Sequence, residues 1–178
     1  HGRWIESVKD KHSIGSQFGT ASRPFRELAG FSFIIENPRK RLVLSDVRKL
    51  NFPFLFANLI WTLAGSDRLE MIAHYNERGI CFSDDGVTLA SAFGPKLFGM
   101  GVSQFEGIAQ LLIEDPSTRR AVIDLFDQSA LMRGSKDVSC ALSIQFLIRN
   151  SRVDCIVYMR SQSALMVLPY DLFLFTMI

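Results

Sequence analysis

Residues 136–171 read KDVSCALSIQFLIRNSRVDCIVYMRSQSALMVLPYD, and this stretch decides the fold. Residues 141–148 and 153–159 are short apolar runs rich in Val, Ile and Phe, divided by the polar turn Arg149-Asn150-Ser151, the texture of successive sheet strands. Residues 121–126 repeat that texture on the N-terminal side. Cys140 opens the first run, so its thiol sits at a strand edge and not in mid-core.

Arginine flanks this thiol on two sides. Asp115-Pro-Ser-Thr-Arg119-Arg120 sets two guanidinium groups at the start of a strand, and Tyr158-Met-Arg160-Ser161 sets another, with a hydroxyl, at a strand end. Guanidinium forks at loop edges present planar paired donors that suit phosphate. The alternative for any one of them is pairing with a surface carboxylate. Two such sites around one Cys point to an anionic substrate, and nearby Arg side chains raise the thiolate fraction, which makes Cys140 a candidate nucleophile.

Further from this centre the chain reads as helical. Residues 53–63, PFLFANLIWTL, are apolar almost all round, which predicts a helix buried on most faces with Asn58 as its one polar interior residue. Residues 69–76 and 103–114 carry apolar side chains at helical spacing, and residues 81–86 read as a loop. At the N-terminal end, residues 4–11 are expected as a short helix, 15–26 as a loop and 31–35 as a strand stopped by Asn37-Pro38. Residues 172–178 form an apolar run that stops without a cap, so a single domain over residues 1–178 lacking a C-terminal portion is expected.

Composition excludes several classes. With 48% hydrophobic and 21% charged residues, the chain is a packed globular protein and not a disordered one. Its 20 basic and 18 acidic side chains are too balanced for an electrostatic nucleic-acid binder. There is no membrane-length apolar run and no hydrophobic signal core, so a cytoplasmic protein is expected. Cys81, Cys140 and Cys155 are widely spaced without metal-ligand spacing, so neither a disulfide framework nor a metal site is expected.

Several segments together resemble the thymidylate synthase family, which includes the pyrimidine nucleotide hydroxymethylases. LIWTLAGS is similar to the family's Leu-Leu-Trp-Phe-Leu-x-Gly helix, SAFGPKL to Tyr-Gly-x-Arg, and EDPSTRR to Asp-Pro-x-Ser-Arg-Arg. The 136–171 stretch parallels its catalytic Pro-Cys strand, its Gln-Phe, its Met-Arg-Ser and its Leu-Pro-Phe-Asn. The resemblance implies an α/β (α+β) fold whose large mixed sheet packs back to back in a homodimer with surrounding helices and shared active sites. It also implies a Cys that adds to C6 of a pyrimidine nucleoside monophosphate, making C5 nucleophilic toward 5,10-methylenetetrahydrofolate. On that resemblance Cys140 is the nucleophile, Arg160 and Ser161 hold the 5′-phosphate, and Arg119 and Arg120 reach the partner's phosphate. Arg23 or Arg26 completes the cluster, and Gln145 lies near sugar or base.

Departures from the pattern carry as much information. Asp171 stands where thymidylate synthases have Asn after Leu-Pro-Phe. An amide donates and accepts and so suits uracil, whereas an ionised carboxylate only accepts and so suits the N4 amino group of cytosine. The resemblance thereby implies a (deoxy)cytidylate 5-hydroxymethylase, with thymidylate synthase on dUMP or a catalytically altered nucleotide-binding member as alternatives. Asp171 could instead merely cap the following helix. Asn58 replaces the family's water-organising Glu and can hold a water but cannot shuttle a proton. Ser163 replaces its folate-contacting Asp, Val167 a Gly and Phe93 the Tyr of Tyr-Gly; Asp84 or Asp85 could supply the missing acid–base function, but solvent-exposed turn carboxylates are the favoured reading of both.

Overall fold

The computed structural model describes residues 3–8, 25–99, 101 and 103–178. The chain forms two compact units, residues 1–40 and 41–178. In the first, strand β1 (Arg3–Val8) pairs antiparallel with β2 (Phe25–Ala29) in the register Trp4↔Leu28 and Ile5↔Glu27. The expected helix at 4–11 is therefore a strand as far as Val8, and the expected loop at 15–26 ends inside β2. An isolated turn or two of helix is marginal, whereas an aromatic and β-branched segment gains from a partner strand that only tertiary structure reveals. Residues 31–35 form no strand; Phe31, Phe33 and Ile34 are exposed there.

The second unit holds the remaining elements. Helix α1 (Phe52–Leu63) starts at Asn51, whose side chain accepts from the Phe54 N–H at 3.1 Å, with Pro53 in the first turn where its missing donor costs nothing. Helix α2 (Leu69–Ala73) stops three residues short of the expected end and is followed by a 3-10 helix, Glu77–Phe82. Helix α3 (Gly94–Phe98) follows, then α4 (Gln104–Glu114), capped by Ser103 accepting from the Glu106 N–H at 3.2 Å. A β-carbon at Gly94 would stand 2.9 Å from Ser66 N and O and from Thr62 O, so only Gly lets α3 seat on the end of α1.

Strand β3 (Val122–Asp124), helix α5 (Gln128–Met132), strands β4 (Ala141–Arg149) and β5 (Arg152–Met159) and helix α6 (Leu168–Phe175) complete the unit. The strands lie in the order β3-β4-β5, with Ile144 opposite both Ile123 and Val157. Every described strand pair is antiparallel, so the parallel pairing of the expected large mixed sheet is not found among the described residues. Helices beside a sheet remain the architecture, as expected for the α/β class.

One core cluster joins the sheet to α3 through Leu97, Ile123, Leu125, Ala141 and Ile144. Another packs α1 on α6 through Leu55, Leu59, Tyr170, Phe173 and Leu174. A third gathers Trp61, Leu69, Ile72 and Ala92. The expectation that α1 is buried on most faces is overturned: Phe52, Phe56, Ile60 and Leu63 form an exposed stripe, because its partners all lie on one side.

The β4–β5 turn places Asn150 at φ 51° and Ser151 at φ 58°, the left-handed pair of a type I′ hairpin. Asn tolerates that region better than Ser, which adopts it here at a cost in strain. The Ser151→Gly variant is therefore expected to be stabilised by about 0.5–1 kcal/mol, read as a higher urea midpoint at unchanged slope; an unchanged or lower midpoint would show the turn unstrained.

Candidate functional site

The site is organised by the open end of the β4–β5 hairpin. Ala141 lies opposite Met159, which carries Cys140 at the start of one strand to Arg160 at the end of the other. The Arg160 N–H donates to the Cys140 carbonyl at 2.9 Å, and the Ser161 hydroxyl donates to the Cys140 Sγ at 3.5 Å. Cys140 is exposed, while its neighbours Ser139 and Ala141 are fully buried. The thiol is thus presented to solvent from a backbone locked on both sides.

That locking extends through the whole approach to the nucleophile. Asp84 accepts from the Ser135 hydroxyl and from the Lys136 N–H, and Asp137 accepts from the Ser91 N–H at 2.8 Å. The Arg160 guanidinium donates through Nε to the Ser139 carbonyl at 2.9 Å and through Nη2 to the Val138 carbonyl at 2.8 Å. The Ser139 hydroxyl bonds the Ala141 carbonyl at 2.7 Å. Arg160 therefore spends two donors on the protein's own backbone, and its remaining edge is what an anion would meet.

Asp84 and Asp85 are engaged in hydrogen bonds, Asp84 with the nucleophile loop and Asp85 within its own turn. The Ser135 hydroxyl and the Lys136 N–H hold Asp84 below the usual carboxylate range. Asp85 is pulled down by the N–H groups of Thr88 and Val87 and by the hydroxyls of Thr88 and Ser83. Both stay ionised through the neutral range as turn and loop anchors. Asp137 is pushed up by burial, partly offset by its bond to Ser91, and ties residue 91 to the nucleophile loop.

Asp171 lies in the first turns of α6, whose start at Leu168 precedes the expected run 172–178. Its carboxylate does not cap the helix; Val167 occupies the N-cap position and makes no side-chain cap. Asp171 Oδ2 instead accepts from Gln162 Nε2 at 2.7 Å, while Gln162 Oε1 accepts from the Ser163 N–H at 2.8 Å. Burial pushes the Asp171 carboxyl up to about 6, with the Gln162 donor pulling the other way. Gln162 escapes sequence reading, because a lone Gln between two Ser residues has no spacing signal; only its bond to Asp171, nine residues on, marks it.

The structure separates the other site residues from this centre. Ala121 meets Phe146 on β4, about 17 Å along the strand from Ala141, so Arg119 and Arg120 lie beyond reach of the same chain's Cys140. Gln145 is at that end too: its Nε2 donates to the Arg119 carbonyl at 3.0 Å, and the Tyr158 hydroxyl donates to its Oε1 at 3.4 Å. An open depression of about 630 Å³ there is lined by Pro116, Ser117, Arg119, Ile148, Arg149 and Asn150. It does not contain Cys140, and Arg149 is turned onto the carbonyls of Ile148 and Ser117.

Asn58 shares the inward side of α1 with Leu55, Trp61 and Thr62, and its side-chain amide has no hydrogen-bond partner among the described residues. Ser163 serves a turn: its carbonyl accepts the N–H groups of Val167 and Leu168, and its hydroxyl that of Met166 at 3.4 Å. It offers no charge to a pterin. Arg26 falls in β2 of the first unit, and Arg23 lies outside the described residues. Among the described residues no group of three or more His, Cys, Asp or Glu could hold a metal, and no helix is long and apolar enough to cross a membrane.

The fold and this arrangement define a thiol-centred site at the mouth of an antiparallel hairpin, with Arg160 and Ser161 bonded to Cys140 and the segment after them bonded through Gln162 to Asp171. A family profile described as Thymidylate synthase matches residues 27–178, and the chain belongs to that family. It is 28% identical over 162 residues to a deoxyuridylate hydroxymethyltransferase of Bacillus phage SP01, covering 83% of this chain and 42% of that protein. It is 21% identical over 153 residues to a thymidylate synthase of Francisella tularensis subsp. holarctica, covering 75% of this chain and 55% of the relative. The crystal structure of thymidylate synthase from T4 phage superposes with a TM-score of 0.57 at 20% identity, covering 73% of this chain and 51% of that one. The chain thus spans about two-fifths to just over half the length of these relatives.

Proposed function

We propose that the protein transfers a one-carbon unit to C5 of a pyrimidine nucleoside monophosphate as a hydroxymethylase. The observation that carries this reading is the junction of Cys140 with Arg160 and Ser161 at the hairpin mouth. The Cys140 thiolate adds to C6 of the ring, which makes C5 nucleophilic toward the one-carbon unit; loss of the C5 proton and departure of tetrahydrofolate would leave an exocyclic methylene, and expulsion of the thiolate after water has added there restores the ring. Arg160 and Ser161 hold the phosphate, and Arg119 and Arg120, too distant in their own chain, serve the site of a second copy in a homodimer. The one-carbon donor is 5,10-methylenetetrahydrofolate, the co-substrate that membership of the family implies. Ser163 supplies no carboxylate for its pterin, so other residues must hold it.

The base is cytosine, as Asp171 favours. Uracil is the second reading, favoured by the deoxyuridylate hydroxymethyltransferase among the relatives. Asn58 holds a water at the ring, and water added to the C5 methylene completes the hydroxymethyl group.

The test is tritium release from C5-labelled CMP, dCMP or dUMP by the full-length protein, with and without methylenetetrahydrofolate, followed alongside product mass. Folate-dependent release with a hydroxymethyl mass gain, lost in Cys140→Ala, is the expected result. Nucleotide binding without release from any of the three would sink the reading.

A further inference from the structure

We infer that Gln162 is a positioning residue that leaves Asp171 a single free acceptor oxygen, so that the pair, and not Asp171 alone, reads the substituent at C4 of the base. The inference rests on the proposed nucleotide reading and goes beyond it by assigning a residue that the family resemblance leaves without a role.

The geometry is directional. Gln162 Oε1 is fixed on the Ser163 N–H at 2.8 Å, which orients the amide so that Nε2 meets Asp171 Oδ2 at 2.7 Å. Met159 Sδ lies 3.4 Å from the same Nε2. An amide held this way can only donate to Asp171. Oδ2 is therefore engaged within the protein, and Oδ1 is the oxygen left for a ligand. A carboxylate with both oxygens free would face two neighbouring ring positions and conflict with one of them on either base: N3 of cytosine or O4 of uracil is an acceptor. One free oxygen meets one group. As an ionised acceptor it takes the N4–H of cytosine and opposes the O4 of uracil.

Protonation reverses this preference. With Oδ2 accepting from Gln162, the proton sits on Oδ1 and turns it into a donor to uracil O4. Burial places the carboxyl at about 6, so the change falls just below neutrality. The ionisable surroundings are sparse. Helix α1, packed on α6, carries no ionisable side chain. Arg160, on the preceding segment, faces the Ser139 and Val138 carbonyls. Arg48 donates to the Leu165 carbonyl, Tyr170 accepts from the Asn51 N–H, and Arg41 contacts Met177 at the far end of the helix. Among the described residues, burial and the Gln162 donor are thus what sets the state of Asp171.

The experiment is calorimetric binding of dCMP, CMP and dUMP to the full-length protein without folate, from pH 5 to 8.5, for the parent, Gln162→Met and Asp171→Asn. Ribose 5-phosphate binding by each variant reports that fold and phosphate site are intact. The parent is expected to favour cytosine nucleotides above about pH 6 and to lose the preference below it. Gln162→Met is expected to move that midpoint up by about one pH unit and to cut the preference near neutrality by up to about ten-fold, with ribose 5-phosphate affinity unchanged. A parent that discriminates and a Gln162→Met protein with the same midpoint and ratio would overturn the inference and leave the nucleotide reading standing. Asp171→Asn with the parent's base preference, or no nucleotide binding by the parent, would overturn both.

Discussion

At pH 8 the Asp171→Asn protein is expected to be more stable than the parent by about 2–3 kcal/mol, and the difference is expected to vanish below about pH 4. The Asp171 carboxyl is raised to about 6 by burial, against about 3.9 for an unfolded Asp. Between those values the folded chain binds the proton that the unfolded chain has released, so stability falls as pH rises through that window. The stabilisation of the neutral form is complete below the unfolded value and gone above the folded one. Asn is neutral throughout and can still accept from Gln162, so it escapes the loss. Urea unfolding of both proteins at pH 4, 6 and 8 measures it. Equal stability at pH 8 would mean that the carboxylate is solvated and not the tuned group described above.

The second large effect is expected at Arg160. Lysine keeps the charge but presents a single point of donation, and it cannot bridge the carbonyls of Ser139 and Val138 while also meeting an anion. In Arg160→Lys the backbone before Cys140 loses two charge-assisted bonds, one of them to the carbonyl of the buried Ser139. Displacement of a reacting atom by about 1 Å costs on the order of 100-fold in rate. Turnover of Arg160→Lys is therefore expected to fall by about that factor while nucleotide affinity falls by less than about ten-fold. Loss confined to affinity, with turnover at the parent's level, would show that Arg160 only binds phosphate and does not align the thiol.

What the sequence discloses and what it hides divide along the range of the interactions. The hairpin, Cys140 at one strand end and Arg160-Ser161 at the other are local patterns, and β4 and β5 begin and end within a residue or two of the expected runs. Helix α1 was legible from its apolar run and α4 from apolar spacing, whereas their caps at Asn51 and Ser103 emerge only in the structure. The strand at residues 3–8 was not, because what makes it a strand is a partner near residue 27. The exposed stripe of α1 was hidden for the same reason: hydropathy tells that a helix is apolar, not how many of its faces find neighbours. Asp171 was legible as a chemical type, but its bond to Gln162 required the turn that folds 162 back onto α6. The distance of Arg119 and Arg120 from Cys140 follows from strand register, which composition does not encode.

The tethers on residues 135–140 come from two stretches, residues 84–91 before them and Arg160 after them. Local opening of either stretch would release the backbone before Cys140 without breaking the core clusters. Amide hydrogen exchange at Lys136 and Arg160, followed alongside the spectroscopic unfolding transition, therefore reads the integrity of both stretches around the exposed sulfur.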